Sequence, residues 1–317
     1  MTNTAPAPGA LTHLRPTNSR GIAVVVTAAV TTAFAVWLSL ERGWLAWIAG
    51  QTVLGLVLVH WFTVLHECGH RTLFRNRRMN TAVGTLAGFL TLFPYHVWVR
   101  VHGRHHKWTG WQDLDPTAES LIPRELGRVE RTLVNVCWRL WIPLFSTMYR
   151  IENYWRPGRL ARMFPQRADK AEMRRNALLQ IAAYASLVIA IGPSTLARAV
   201  AAGVVLSFVI EDILLLSQHA HLPMNLSDGD RVSPVPAMDQ EEFTRSLRLP
   251  AWASAVLLHF DAHELHHMYP FVPGYHLRRI PYQPANEVGW LDWVRVSKRV
   301  RGVTLLFHNR RETGIQI

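Results

Sequence analysis

Residues 44–70 read Trp44-Leu-Ala-Trp-Ile-Ala-Gly-Gln-Thr-Val-Leu-Gly-Leu-Val-Leu-Val-His-Trp-Phe62-Thr-Val-Leu-His66-Glu-Cys-Gly-His70, an apolar run that ends in two histidines. The stretch Trp44–Phe62 has no Asp, Glu, Lys or Arg and is about long enough to cross a bilayer as a helix. Trp44, Trp47 and Trp61 stand where interfacial aromatics belong. Upstream, Gly21–Leu40 is a second uncharged run, joined to the first by Glu41-Arg42-Gly43. The pair is predicted to form a helical hairpin. His66 falls about one helical turn beyond Phe62 and His70 about one turn further. Spaced i and i+4, the two imidazoles share a helix face.

The same signal recurs twice: His102-Gly-Arg-His105-His106 and His263-Glu-Leu-His266-His267. On a helix the pattern H-x-x-H-H sets its histidines at about 0°, 300° and 40°, inside one arc of about 100°. Half of the sixteen histidines lie in the three windows. Ser217-Gln-His219-Ala-His221 follows another apolar run and adds a further candidate. Imidazole is the commonest protein ligand for transition metals. The candidate ligands are His66, His70, His102, His105, His106, His219, His263, His266 and His267. One zinc takes about four ligands, so nine imidazoles suit two ions. Nitrogen donors fit zinc, copper, iron and nickel alike; iron is preferred because histidines at a membrane surface suggest oxygen chemistry on lipid. Glu67, His221 and Asp261 are candidates to brace the ligand rings by hydrogen bonds. Asp113 and Asp115, in the turn after the second window, are candidates to line the site. His60, His96, His259 and His276 read as structural.

Composition agrees with a membrane setting. The chain has 317 residues, is 49% hydrophobic and carries a formal charge of +12, as expected of a membrane protein with basic cytoplasmic segments. No nucleic-acid recognition motif accompanies the charge. Two cysteines, Cys68 and Cys137, exclude a disulfide framework and a cysteine-based zinc or iron–sulfur site.

Residues 1–20 are expected to form a disordered cytoplasmic tail, and residues 21–294 one membrane domain. Its spans are placed at 21–40, 44–62, 177–191 and 196–216. Thr81–Val99, broken by Gly84, Gly88 and Pro94, reads as a re-entrant or interfacial segment. The block Arg71–Arg175 holds 19 of the 34 Lys and Arg residues, which makes its face, and both termini, cytoplasmic. Trp138–Tyr149 is expected to lie in the interface. Met224–Pro250 reads as polar loop, and residues 295–317 as a basic tail on the membrane surface. The expected fold is therefore an all-α membrane protein: four transmembrane helices in two hairpins, with a cytoplasmic helical cap holding a di-metal site.

The windows resemble the histidine boxes of the membrane fatty acid desaturase superfamily, over roughly residues 40 to 285. His66-Glu-Cys-Gly-His70 is similar to the first box of the Δ12/ω3 acyl-lipid branch, and Gln218-His219-Ala-His221 to its additional Q-H-T-H element. Asp261-Ala-His263-Glu-Leu-His266-His267-Met-Tyr-Pro270, followed by Pro273-Gly-Tyr-His276-Leu277, resembles its third box. Arg71, Gly103 and Glu264 depart from the pattern. The resemblance implies a non-haem di-iron centre that uses O₂ and two electrons to remove hydrogens from adjacent carbons of an acyl chain. It also implies an acyl-lipid, acyl-CoA or acyl-carrier substrate and an external donor, ferredoxin or cytochrome b5-like. Hydroxylation or ketolation of a lipid or carotenoid shares the first hydrogen abstraction and stays open. His66-Glu67-x-x-His70 also fits a zinc metalloprotease, which would leave both H-x-x-H-H windows unexplained. A metal transporter would string ionisable residues through its spans, whereas Arg198, Glu211 and Asp212 sit near span ends.

Overall fold

The computed structural model describes residues 4–317. Its helices run in chain order: α1 (Asn18–Leu40), α2 (Trp44–His70), α3 (Arg77–Leu90), α4 (Tyr95–Trp108), α5 (Arg128–Arg139), α6 (Leu144–Arg150), α7 (Pro157–Met163), α8 (Arg167–Ile191) and α9 (Pro193–His219). Shorter helices follow: α10 (Ala251–Val256), α11 (His263–Met268), α12 (Gly274–Leu277), α13 (Trp290–Arg299), α14 (Gly302–Phe307) and α15 (Arg310–Thr313). Two short strands, β1 (Leu247–Arg248) and β2 (Val288–Gly289), pair in parallel. The chain divides into two compact units, one of residues 16–100 and 147–210, the other of the chain up to Arg15 with 101–146 and 211–317.

The first unit holds α1–α3, α8 and most of α9. α1, α2 and α9 are each long and apolar enough to cross a membrane. α3 and α4 are bent by 98° across a short break and would count together as one broken span or a re-entrant loop. Gly84 and Gly88 lie within α3 and Pro94 in the break that follows, where proline cannot continue a helix, matching the interrupted segment read from Thr81–Val99. α8 is not among the span-length apolar helices. Its apolar part, Ala177–Ile191, continues from first helical turns rich in charge that include Arg167, Asp169, Lys170, Glu172, Arg174 and Arg175. α1 and α2 approach closely because Gly50 has no side chain: a Cβ there would stand 2.5 Å from Ser39 Oγ and 2.7 Å from Ala35 O. Gln51, buried in the same turn, donates to Ser39 Oγ (2.8 Å) and Ala199 O (2.8 Å). Its Oε1 accepts the Gly203 N–H at 2.7 Å. One amide thus ties α1, α2 and α9 together where water cannot serve as partner.

The second unit corrects two expectations. Residues 1–3 of the expected disordered tail lie outside the described residues, but Pro8–Leu11 forms a turn of 3₁₀ helix. Leu11 and Leu14 are buried in a core with Ala262, Leu265, Met268, Tyr269 and Val272, and Tyr269 Oη donates to Pro6 O at 2.7 Å. Polar flanks hid two leucines able to bury apolar area. The C-terminal segment likewise folds onto its unit, with Leu305 and Phe307 buried, rather than spreading as a surface tail.

Candidate metal centre

Seven of the nine candidate ligands belong to the second unit. α4 delivers His102, His105 and His106, α9 ends on His219, and α11 is little more than the third window. The spacing does what helical geometry requires: His102 and His106 meet edge to face one turn apart with Nε2 atoms 3.1 Å apart, and His263 and His267 do the same at 3.0 Å. Two groups result. In one, the ligand nitrogens of His105, His219, His263 and His267 all lie within 4.8 Å of one another. His219 Nε2 and His263 Nε2 are 2.7 Å apart. In the other, His106 Nε2 lies 3.0 Å from His266 Nε2 as well as near His102. His105, His263, His266 and His267 are buried.

Hydrogen bonds on the far side of the rings explain why the Nε2 atoms converge. His105 Nδ1 faces Asp115 Oδ2 at 2.7 Å, and Thr117 donates to the other carboxylate oxygen from both its N–H and its hydroxyl, each at 2.9 Å. His267 Nδ1 faces Gln240 Oε1 at 2.9 Å. A neutral imidazole has one N–H; with it directed outward, the Nε2 lone pair points into the group. Burial raises the Asp115 carboxyl, but His105 and the Thr117 N–H outweigh it and hold the group below its ordinary value. Burial, reinforced by His106, His263 and His105, keeps the His267 imidazole well below its ordinary range and hence neutral. Lone pairs crowded this closely repel one another, and a shared cation converts that repulsion into coordination. Buried, neutral, nitrogen-only donors with braced far sides suit a borderline transition metal.

The first unit holds the remaining pair. His66 and His70 lie on the last turn of α2, ring centroids 4.8 Å apart. Gly69 lets the Trp98 indole pack where a Cβ would collide with it, and the indole meets His66 edge-on at 5.8 Å. Arg71 ends the helix in a left-handed conformation at φ 63°.

The three candidate bracing residues fare differently. Glu67 Oε1 lies 3.4 Å from His66 Nδ1 while its other oxygen accepts the Thr72 hydroxyl at 2.7 Å. His221 instead faces the C-terminal helices: Nδ1 is 3.1 Å from Thr304 O and Nε2 2.8 Å from Thr313 Oγ1. It lies beyond the end of α9 at φ 58°, which swings its ring toward α14 and α15. Asp261 accepts from Ser254 Oγ (2.7 Å) and Arg278 Nη2 (2.7 Å), bracing the turn into α11 rather than an imidazole. Gln240 and Thr117 escaped sequence reasoning, because nothing in a polar loop marks which amide or hydroxyl meets a ring. Asp115, in the turn flagged after the second window, does meet one. Glu264, a departure from the resembled pattern, accepts the backbone N–H groups of Ser246 (3.0 Å) and Asn286 (2.7 Å). Burial pushes its carboxyl up to about 7 against the pull of those donors.

Comparison with known proteins bears on this arrangement. The family described as fatty acid desaturase matches residues 42–285. An sn-1 oleoyl-lipid 12-desaturase of Picosynechococcus sp. is 27% identical over 141 residues, 42% of this chain and 38% of the relative. An sn-1 oleoyl-lipid 12-desaturase of Anabaena variabilis is 23% identical over 281 residues, 84% of this chain and 74% of the relative. An omega-3 fatty acid desaturase, chloroplastic, of Glycine max is 24% identical over 255 residues, 74% of this chain and 53% of the relative. Two of these matches span under two thirds of the relative's length, 38% for Picosynechococcus sp. and 53% for Glycine max. With the family's match extending over the greater part of its residues and all three histidine windows, the chain belongs to the fatty acid desaturase family.

Proposed function

We propose that the protein desaturates a fatty acyl chain in an O₂-dependent reaction at a non-haem di-iron centre, using two electrons from an external carrier. The observation that carries this reading is the convergence of His105, His219, His263 and His267 in a chain of this family. Their fit to a nitrogen-loving cation is the fit tested above. His102, His106 and His266 supply a second group, and His66 and His70 complete the nine ligands. Bound iron would supply the oxygen activation and hydrogen removal. The chain's own residues do the rest: Asp115 and Gln240 hold the N–H of His105 and His267 outward, Glu67 serves His66, and burial of the rings keeps water from the reacting carbons. The substrate is an acyl lipid, acyl-CoA or acyl-carrier ester, and the donor a ferredoxin or cytochrome b5-like protein. The chain spans the membrane four times as two hairpins, with the histidines and both termini cytoplasmic, in keeping with the arginine-rich stretch between the hairpins.

Expression in a host of simple lipid composition, followed by fatty acid analysis, tests the proposal. A new unsaturated species that disappears in His266→Ala supports it. A hydroxylated product instead moves the assignment to hydroxylation, and purified protein holding one zinc and no iron overturns the di-iron reading.

A further inference from the structure

We infer that Gln240 is a positioning residue of the His105/His219/His263/His267 group, joining two ligand-bearing helices through a single amide. The inference rests on the metal-centre reading above. Gln240 is 3% exposed and sits in the 3₁₀ turn Ala237–Phe243. Its Nε2 donates to His106 O at 2.8 Å and to Val235 O at 3.1 Å. Carbonyls cannot donate, so these two partners fix which end of the amide is NH₂. The other end is therefore oxygen, and it faces His267 Nδ1 at 2.9 Å. An amide oxygen can only accept, so His267 carries its proton on Nδ1. Its Nε2 is left as a lone pair 3.0 Å from His263 Nε2.

The same side chain thus does two jobs. It sets the tautomer of a ring on α11, and it grips the last turn of α4, where His105 of the same group resides. The turn itself is held, since Thr244 Oγ1 donates to Gln240 O at 3.0 Å. His105 relies on a carboxylate, Asp115, whereas His267 relies on a neutral amide that orients the ring without adding charge. A glutamate at 240 would keep the acceptor for His267 and lose the grip on α4. A methionine, similar in length, would lose both.

The test uses the full chain, purified in detergent, stripped of metal and titrated with Co²⁺. Visible absorption and bound-metal analysis follow the uptake, and melting temperatures of the stripped proteins are recorded alongside. The wild-type protein is expected to take two equivalents. Gln240→Met should retain one at wild-type affinity and bind the other about 10- to 100-fold more weakly, the usual loss when a partner of a ligand histidine is removed. Gln240→Glu should recover most of that loss and shift the Co²⁺ absorption, because His267 then faces a carboxylate. A Gln240 that merely holds the fold would lower the melting temperature of the stripped variants and leave both affinities and the Co²⁺ spectrum unchanged; that result overturns the inference. Should Gln240→Met not fold, Gln240→Glu decides alone: an unshifted spectrum overturns the assignment. Wild-type protein that takes fewer than two equivalents defeats the di-metal reading itself, a different outcome from two equivalents insensitive to residue 240.

Discussion

Asp115 Oδ2 lies 2.7 Å from His105 Nδ1, with both side chains sealed from solvent. A carboxylate behind an imidazole fixes the ring and raises the basicity of its inner nitrogen. Asp115→Ala is expected to weaken metal binding about 10- to 100-fold, read as metal content after dialysis against a weak chelator. Asp115→Asn can still present an oxygen to His105, so its loss should be smaller. Equal losses in the two variants would show that charge, and not orientation, is what His105 needs.

The pH dependence of the stripped protein follows from His267. Its folded pKa lies well below the usual value because of burial and neighbouring imidazoles. As pH falls through about 6.5, the unfolded chain takes up a proton that the folded chain refuses. Stability is therefore level above that pH and declines below it. Asp115, held low, adds stability that is full above the ordinary carboxylate range and is lost progressively as pH falls from that range to its lower folded value. Glu264, raised to about 7, contributes the opposite trend below that pH, so the test uses Glu264→Gln. Melting temperatures of the stripped variant across about pH 8 to 5 should fall on the acid side, and a rise there contradicts the assignment of neutral, buried rings.

Glu264 should be replaced at less cost by an amide than by a methyl. Glu264→Ala leaves the buried N–H groups of Ser246 and Asn286 without their acceptor, at about 1–3 kcal/mol for each, and should lower the melting temperature sharply. Glu264→Gln keeps an acceptor for one of the two N–H groups and turns its NH₂ toward the other, but it relieves the burial of a carboxyl whose pKa is already pushed up to about 7, so its loss should be the smaller. Thermal unfolding of the two variants at neutral pH separates them.

Gly50→Ala tests the hairpin. A Cβ would press on the backbone of Ala35 and Ser39, and backbone cannot swing aside as a side-chain end can. Overpacking of this kind costs about 1–3 kcal/mol. Gln51→Leu removes hydrogen bonds between helices worth about 0.6 kcal/mol on average in membranes, and Gly203 N–H lies at helical spacing from Ala199 O. The expected order of thermal stability in detergent is wild type, then Gln51→Leu, then Gly50→Ala.

Much of this arrangement is legible in the chain itself, for reasons of range. Helical period is a local property, so the apolar runs, the interrupted segment around Gly84–Pro94 and the spacing within each histidine window all announce themselves. His219 was legible through resemblance, since nothing within its own few residues separates it from His221; the structure puts one ring among the imidazoles and the other against Thr304 and Thr313. Gln240 was illegible because its two partners lie 134 and 27 residues away, and a glutamine in a polar loop has no period to betray it. Leu11 and Leu14 were missed for the same reason: their partners lie some 250 residues downstream, beyond any local pattern.

That last packing bears on how the protein is made. The hydrogen bond from Tyr269 to Pro6 closes a separation of 263 residues, and the leucines beside it bury against the helix that carries His263, His266 and His267. Leu11 and Leu14 must wait for the third window to be synthesised before their own core exists. Contacts of such separation are slow to form because chain entropy is surrendered before any contact repays it. The packing behind the third window therefore belongs to the late steps of folding.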